Sequence, residues 1–69
     1  MTHEQIKEAR QKLGLTLPQL GKMLDTDETT ARKMEMSPDK STHRKPAPRM
    51  VRLINAYLSG YRPDDWPNS

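Results

Sequence analysis

The sequence predicts an all-α domain of four helices with a short irregular C-terminal tail. Helix-start signals recur along the chain, apolar residues follow helical spacing, and the alternation typical of strands is nearly missing. The chain has 69 residues and no cysteine, so helix packing or a partner subunit must supply the stability that disulfides give other small domains. We expect one helical domain over residues 1–59 and a tail over residues 60–69.

The first helix is predicted over residues 3–13. Thr2 and Gln5 have the spacing of a capping box, in which each side chain accepts a hydrogen bond from the backbone N–H of the other residue. Gly14 can adopt the left-handed backbone that ends a helix. The apolar positions between these signals form one stripe: Ile6, Ala9 and Leu13.

Two short helices and a tight turn are predicted to follow. Thr16 and Gln19 repeat the capping-box spacing, and Pro18 is tolerated in a first helical turn. After a turn at residues 25–26, Asp27 can cap a third helix running to about Met36. The side chains expected to pack inward are Leu17, Leu20, Leu24, Ala31 and Met34.

The fourth helix is predicted to begin near Ala47 and to end at Ser59 and Gly60. It follows a polar loop over residues 37–46 that is rich in basic side chains. Pro48 lies in the first turn of the helix.

Composition narrows the classes of function. Lys and Arg number 12 against 9 Asp and Glu, and the net charge of +3 favours polyanionic partners. Neither a secretion signal nor a run of about 18 apolar residues is evident, so we expect a cytoplasmic protein that does not associate with a membrane. The acidic residues near positions 25–28 and 64–65 could in principle bind a metal, but capping explains part of the first group. We expect neither an enzyme nor a cofactor, metal site or effector pocket.

Residues Leu15–Glu35 (LTLPQLGKMLDTDETTARKME) have the layout that places a recognition helix in the DNA major groove: two short helices, a tight turn and a freshly capped second helix. This segment resembles the helix-turn-helix of Cro/C1-type (XRE) regulators. The shared positions are the Leu-Thr opening, Leu20, Gly21, Leu24, Thr30, Ala31 and Glu35. Asp25 and Thr26 depart from the family, which has glycine and a β-branched apolar residue there; aspartate tolerates a left-handed backbone.

The resemblance implies a lambda-repressor-like fold and a transcriptional regulator, most simply a repressor that binds double-stranded DNA as a homodimer on an inverted repeat. Chain size and the helix opening at Ala47-Pro48 are also similar to small anti-CRISPR-associated repressors of phages and mobile elements.

The resemblance also assigns base reading to the start and outer face of the third helix. Arg32 or Lys33 can bond guanine, and the methyl group of Thr29 can touch thymine. Glu28 can accept from cytosine but repels phosphates, and Asp27 has capping as an alternative role. The predicted base-reading residues are Asp27, Glu28, Thr29, Arg32 and Lys33.

Basic and amide side chains near this helix are predicted to contact phosphates, the alternative being a loop whose charges are simply solvated. The predicted phosphate contacts are Gln19, Lys22, Lys40, His43, Arg44 and Lys45.

The apolar face of the fourth helix is wider than one core-facing stripe needs. Its residues span an arc of about 160°, against about 100° for a single stripe. A symmetric copy would cover the excess; alternatively, the tail folds back over it within one chain. The predicted dimer interface comprises Met50, Leu53, Ile54, Tyr57, Leu58, Tyr61 and Trp66.

A second hypothesis is a protein-binding module, such as an antitoxin or an inhibitor of a host enzyme. The acidic run of Asp25, Asp27 and Glu28 at the presumed DNA face favours it.

Overall fold

A computed structural model describes residues 1–67, which form four α-helices and contain no β-strand. The helices are α1 (His3–Leu13), α2 (Leu17–Met23), α3 (Glu28–Met34) and α4 (Pro48–Leu58). The prediction of an all-α fold with four helices is confirmed. The predicted tail extends to residue 69, and its last two residues lie outside the described part of the chain.

The helix starts lie where the capping signals predict them. Thr2 and Thr16 both form complete capping boxes, and the Asp27 carboxylate accepts a hydrogen bond of 2.7 Å from the backbone N–H of Thr30. Gly14 ends α1 with a left-handed backbone, φ 72°. These elements are specified by residues three or fewer positions apart, which is why a local pattern predicts them.

The third helix is shorter than predicted: it ends at Met34 and not at Met36. A further helical turn would need the carbonyl of Lys33 to accept from residue 37. Instead that carbonyl accepts from Arg44 in the following loop, with an N–O distance of 3.1 Å, and from Met36 at 3.3 Å. The loop therefore takes the acceptor that would have extended α3.

The turn between α2 and α3 brings the two helices into close contact. Asp25 adopts the left-handed conformation, φ 57°, and the backbone N–H of Thr26 bonds to the carbonyl of Gly21 at 2.8 Å. This pattern closes a helix in the same way as a terminal glycine. Gly21 lies against the backbone of Asp27, since a Cβ at Gly21 would lie 2.8 Å from the Asp27 carbonyl carbon.

The core lies between all four helices, and the inward positions predicted from α2 and α3 are part of it. Leu20, Leu24, Ala31 and Met34 are each 1% exposed or less, while Leu17 is only partly buried against them. The other buried residues are Ile6, Ala9, Leu15, Met23, Met50, Ile54 and Tyr57.

An ion pair connects α1 to the end of α3. Arg10 Nε donates to Glu35 Oε2 at 2.7 Å, and Arg10 Nη2 donates to Glu35 Oε1 at 3.2 Å. Arg10 Nη1 also donates to the carbonyl of Leu15 at 3.1 Å. Because the pair uses two parallel hydrogen bonds, it fixes the direction in which α3 ends as well as its position.

The tail packs back on α4. Trp66 meets the ring of Tyr57 edge-on, with centroids 5.1 Å apart, and Tyr61 stacks on the same ring at 6.0 Å. The guanidinium of Arg62 lies 4.4 Å from the Trp66 ring and bonds to the carbonyls of Tyr57 and Tyr61.

This packing narrows the predicted dimer interface, which otherwise stays a prediction. Met50, Ile54 and Tyr57 are buried in the core of the single chain, and the Tyr57 hydroxyl donates to the carbonyl of Met23 at 2.8 Å. These three side chains are therefore unavailable to a second subunit. Leu53 and Trp66 are partly buried against the same core, which leaves Leu58 and Tyr61 as the exposed members of the predicted set.

None of the helices within residues 1–67 has the length and apolar character needed to cross a membrane.

Candidate nucleic-acid interface

The outer face of α3 carries the predicted base-reading residues. Asp27, Glu28, Thr29 and Arg32 are exposed, and Lys33 is half-buried. The opposite face contributes Ala31 and Met34 to the core. The helix therefore separates a polar outer surface from an apolar inner one, and the side chains predicted to read bases share the outer surface.

An ion pair lies on this outer face. Arg32 Nη2 donates to Glu28 Oε2 at 3.0 Å, one helical turn away, and the two side chains are 57% and 45% exposed. Glutamate four residues before arginine is the favourable order, because the acid lies near the positive end of the helix dipole. The pair orients both charged groups on the outer face of α3.

Asp27 has a structural role at the start of α3. Hydrogen bonds from the hydroxyl and then the backbone N–H of Thr30 lower the pKa of Asp27, with a smaller contribution from the charge of Lys33. The carboxylate is thus ionised at neutral pH and engaged with the helix end. Capping explains Asp27 without any contact to a base.

A basic notch flanks α3. It has a volume of about 280 Å³ and lies between the turn and helix residues Thr26, Thr30 and Met34 on one side and the loop and α4 on the other. The second side contributes Arg44, Lys45, Ala47, Arg49 and Met50. Three cationic side chains therefore lie beside α3, next to Thr26 and Thr30 and not on the outer face itself. Cations beside a helix could contact a phosphate backbone if that helix entered a groove of DNA.

Two of these cations, Arg44 and Lys45, were predicted from the sequence, and Arg49 was not. Arg49 lies in the first turn of α4, and the sequence offers no signal for which side of α4 faces α3. The backbone bond from Arg44 to the carbonyl of Lys33 holds the loop against α3 and so determines the position of the notch.

The other predicted phosphate contacts are more dispersed. Lys22 is exposed in the last turn of α2, and Lys40 is exposed in the loop. Gln19 uses its amide oxygen to accept from the backbone of Thr16 at 2.9 Å, so only its amide nitrogen can donate to a phosphate. His43 is half-buried, with its Nδ1–H donating to the carbonyl of Met36 at 2.8 Å, which gives this side chain a role in ordering the loop.

A second surface feature lies between α1 and α4. This groove has a volume of about 480 Å³, and its α1 side is lined by one helical stripe that includes Glu8 and Lys12. Its α4 side includes Val51, Asn55 and the exposed Leu58. The residues bordering the groove and those bordering the basic notch are entirely different, so α4 separates two distinct surfaces.

Within residues 1–67, no three histidine, aspartate or glutamate side chains come close enough together to hold a metal ion.

Comparison with protein-family models, with curated proteins and with solved structures found no match to this chain.

Proposed function

We propose that this protein is a sequence-specific DNA-binding transcriptional regulator of the helix-turn-helix type. In this proposal, α2 lies across the phosphate backbone and α3 enters the major groove. Arg32 and Lys33 contact base edges, and Thr29 contacts a thymine methyl group. Arg44, Lys45 and Arg49 contact phosphates, as do Lys22, Lys40 and the amide of Gln19.

The observation that carries the proposal is the outer face of α3 together with the basic notch beside it. The helix has exposed polar side chains at its start, while Gly21 allows α2 to approach it at the turn. Cations from a different segment lie beside α3, next to Thr26 and Thr30. The proposal is supported by this proximity, because recognition of a duplex needs groups that contact phosphates near those that contact bases.

We further propose that the regulator acts in the cytoplasm as a homodimeric repressor on an inverted repeat. These four short helices offer little surface for recruiting polymerase beyond the surface that would contact DNA, so blocking a promoter is the simpler action. The exposed side chains of Leu58 and Tyr61, at the end of α4 and the start of the tail, supply apolar surface for a second subunit. Autoregulation of a phage or mobile-element operon would be consistent with this size and charge.

The test is fluorescence anisotropy with DNA from upstream of the gene and with a scrambled duplex, at two salt concentrations. Specific binding should exceed non-specific binding by about 10³-fold or more and should weaken as salt increases. A double variant, Arg32→Ala with Lys33→Ala, should abolish the preference for the specific duplex.

The matched control removes two positive charges elsewhere. Lys7 and Lys12 are exposed on α1, so Lys7→Ala with Lys12→Ala makes the same change in net charge away from α3. This control should lower affinity for both duplexes slightly and leave their ratio unchanged. If the α3 variant behaves like the control, the recognition helix is wrongly assigned.

The second candidate is a protein-binding module, such as an antitoxin or an enzyme inhibitor. It is favoured by the exposed carboxylates of Asp25, Asp27 and Glu28, which lie together at the start of α3 and oppose a phosphate backbone. Equal and weak binding to every duplex, including a pool of genomic fragments, would favour this function over DNA reading.

A further inference from the structure

Glu28 places a carboxylate on the outer face of α3, the surface that would contact DNA in the proposed function. A carboxylate repels phosphates, and the two roles open to it there are accepting a hydrogen bond from cytosine and orienting a neighbouring cation. Its Oε2 atom lies 3.0 Å from Nη2 of Arg32, and both side chains remain about half exposed.

We propose that Glu28 is a positioning residue: it orients the Arg32 guanidinium for bidentate contact with a guanine and does not itself read a base. This inference rests on the proposed DNA-binding function and specifies one base of its target. It assigns a guanine to the position that Arg32 meets, because arginine matches guanine O6 and N7 with two parallel hydrogen bonds.

The geometry leaves Arg32 the donors that this contact needs. A guanidinium has five N–H donors, and the pair with Glu28 occupies one of its nitrogen atoms. The other N–H groups are sufficient for the two acceptors of a guanine. A long flexible side chain loses much rotamer freedom on binding, and a partner one helical turn away restricts that freedom beforehand.

The pair also affects discrimination through its charge. An unpaired arginine gains energy from any phosphate, whatever the sequence nearby. Glu28 offsets that attraction, so the energy that Arg32 contributes depends more strongly on the directional contact with a base. In water the exposed pair is weak, but it strengthens when the major groove replaces the solvent around it.

The experiment is selection from a pool of duplexes with about 20 randomised base pairs, enough to contain two half-sites. The wild-type protein, Glu28→Gln, Arg32→Ala and the double variant are each selected against this pool. Affinities for the enriched duplex and for its single-base-pair variants are then measured by anisotropy. Glu8→Gln on α1 removes the same charge from an exposed position outside α3 and serves as the control.

We expect the wild type to enrich a guanine that Arg32→Ala no longer prefers, with a loss of roughly 5- to 150-fold in discrimination at that base pair. Glu28→Gln should reduce discrimination at the same base pair by roughly two- to tenfold. It should also raise affinity for a duplex without the motif, because a negative charge is gone. Glu8→Gln should leave the discrimination unchanged.

The double variant separates the two roles of Glu28. If Glu28 acts through Arg32, then Glu28→Gln has no further effect on this discrimination once Arg32 is alanine. An additive loss, or a loss at a different base pair, would mean that Glu28 reads a base itself and would overturn the inference. So would unchanged discrimination in Glu28→Gln.

These outcomes are distinct from failure of the proposed function. If the wild type enriches no motif, the DNA-binding proposal and the inference both fall. If it enriches a motif in which Arg32→Ala alters no guanine, only the inference falls.

Discussion

Breaking the ion pair between Arg10 and Glu35 should destabilise the domain more than any change on its outer surface. The pair has two parallel hydrogen bonds, and its side chains are only 17% and 9% exposed. Removing one member of a fully buried pair costs about 3–5 kcal/mol, and removing one member of a surface pair costs about 0–1 kcal/mol. Since this pair is mostly buried, we expect about 3 kcal/mol for Arg10→Met, which leaves the Glu35 carboxylate without its partner.

Glu35→Leu should cost less, about 2 kcal/mol, because Arg10 keeps its bond to the carbonyl of Leu15 and its long side chain can move toward water. The double variant should be less destabilised than the sum of the two, since no buried charge remains. The expected coupling energy is about 2 kcal/mol. A chain of this size has a free energy of unfolding of roughly 3–10 kcal/mol, so Arg10→Met should lower the thermal midpoint by roughly 10–20 °C.

The assay is urea unfolding of the wild type, Arg10→Met, Glu35→Leu and the double variant, with far-UV circular dichroism as the signal. The exposed pair of Glu28 and Arg32 serves as the control for this double-mutant cycle. It is also an arginine–glutamate pair, but both of its side chains are well exposed. Arg32→Met and Glu28→Leu should show a coupling of only about 0.3–0.5 kcal/mol. If the Arg10–Glu35 coupling is no larger than that of this control, the pair does not hold α1 to the end of α3.

Three further predictions concern other contacts. Gly21→Ala should destabilise the domain by about 1–3 kcal/mol in urea unfolding. The new Cβ would lie 2.8 Å from the backbone of Asp27, so one helix would have to shift. Unchanged stability would show that the backbone of the turn moves at little cost. Asp27→Asn should flatten the acid limb of a stability–pH curve. The pKa of Asp27 is lowered in the folded state, so its contribution is present above about pH 4 and is lost as pH falls below that value; an acid limb as steep as in the wild type would contradict this. Trp66→Ala should cost about 1–2 kcal/mol through loss of its edge contact with Tyr57, and a chain that unfolds at the wild-type midpoint would mean that the tail adds nothing to the core.

The parts of the fold that the sequence predicts are those specified by neighbouring residues. The caps at Thr2, Thr16 and Asp27 each act within three positions, and Gly14 and Asp25 end their helices through their own backbone conformation. The spacing of apolar residues also predicts which sides of α2 and α3 are buried. Each of these signals lies inside the helix that it defines or within two residues of its end.

The parts that the sequence does not predict depend on contacts between distant segments. The early end of α3 requires Arg44 to reach the carbonyl of Lys33, and the pairing of Arg10 with Glu35 joins residues 25 positions apart. Arg49 borders the notch because the start of α4 lies across it from Thr30 and Met34 of α3.

The wide apolar face of α4 is another feature whose neighbours the sequence does not predict. Its arc predicted a partner subunit, but Met50, Ile54 and Tyr57 fill the core of one chain. Periodicity measures how much apolar surface a helix has, and it does not specify which neighbours cover that surface. Here the tail covers part of it, through the contact between Trp66 and Tyr57.

The seven residues of α3 are too few to form a stable helix alone, so its order comes from the contacts at its two ends. At its start, Asp27 caps the backbone and Gly21 admits a close approach of α2. At its end, Glu35 is paired with Arg10, and the loop bonds to the last turn. Apart from the Asp27 carboxylate, none of these contacts uses a side chain of the outer face. If α3 reads DNA as proposed, stability and recognition depend on largely separate residues. The outer face beyond Asp27 could then change its sequence, and with it the DNA that it reads, while the helix stays folded.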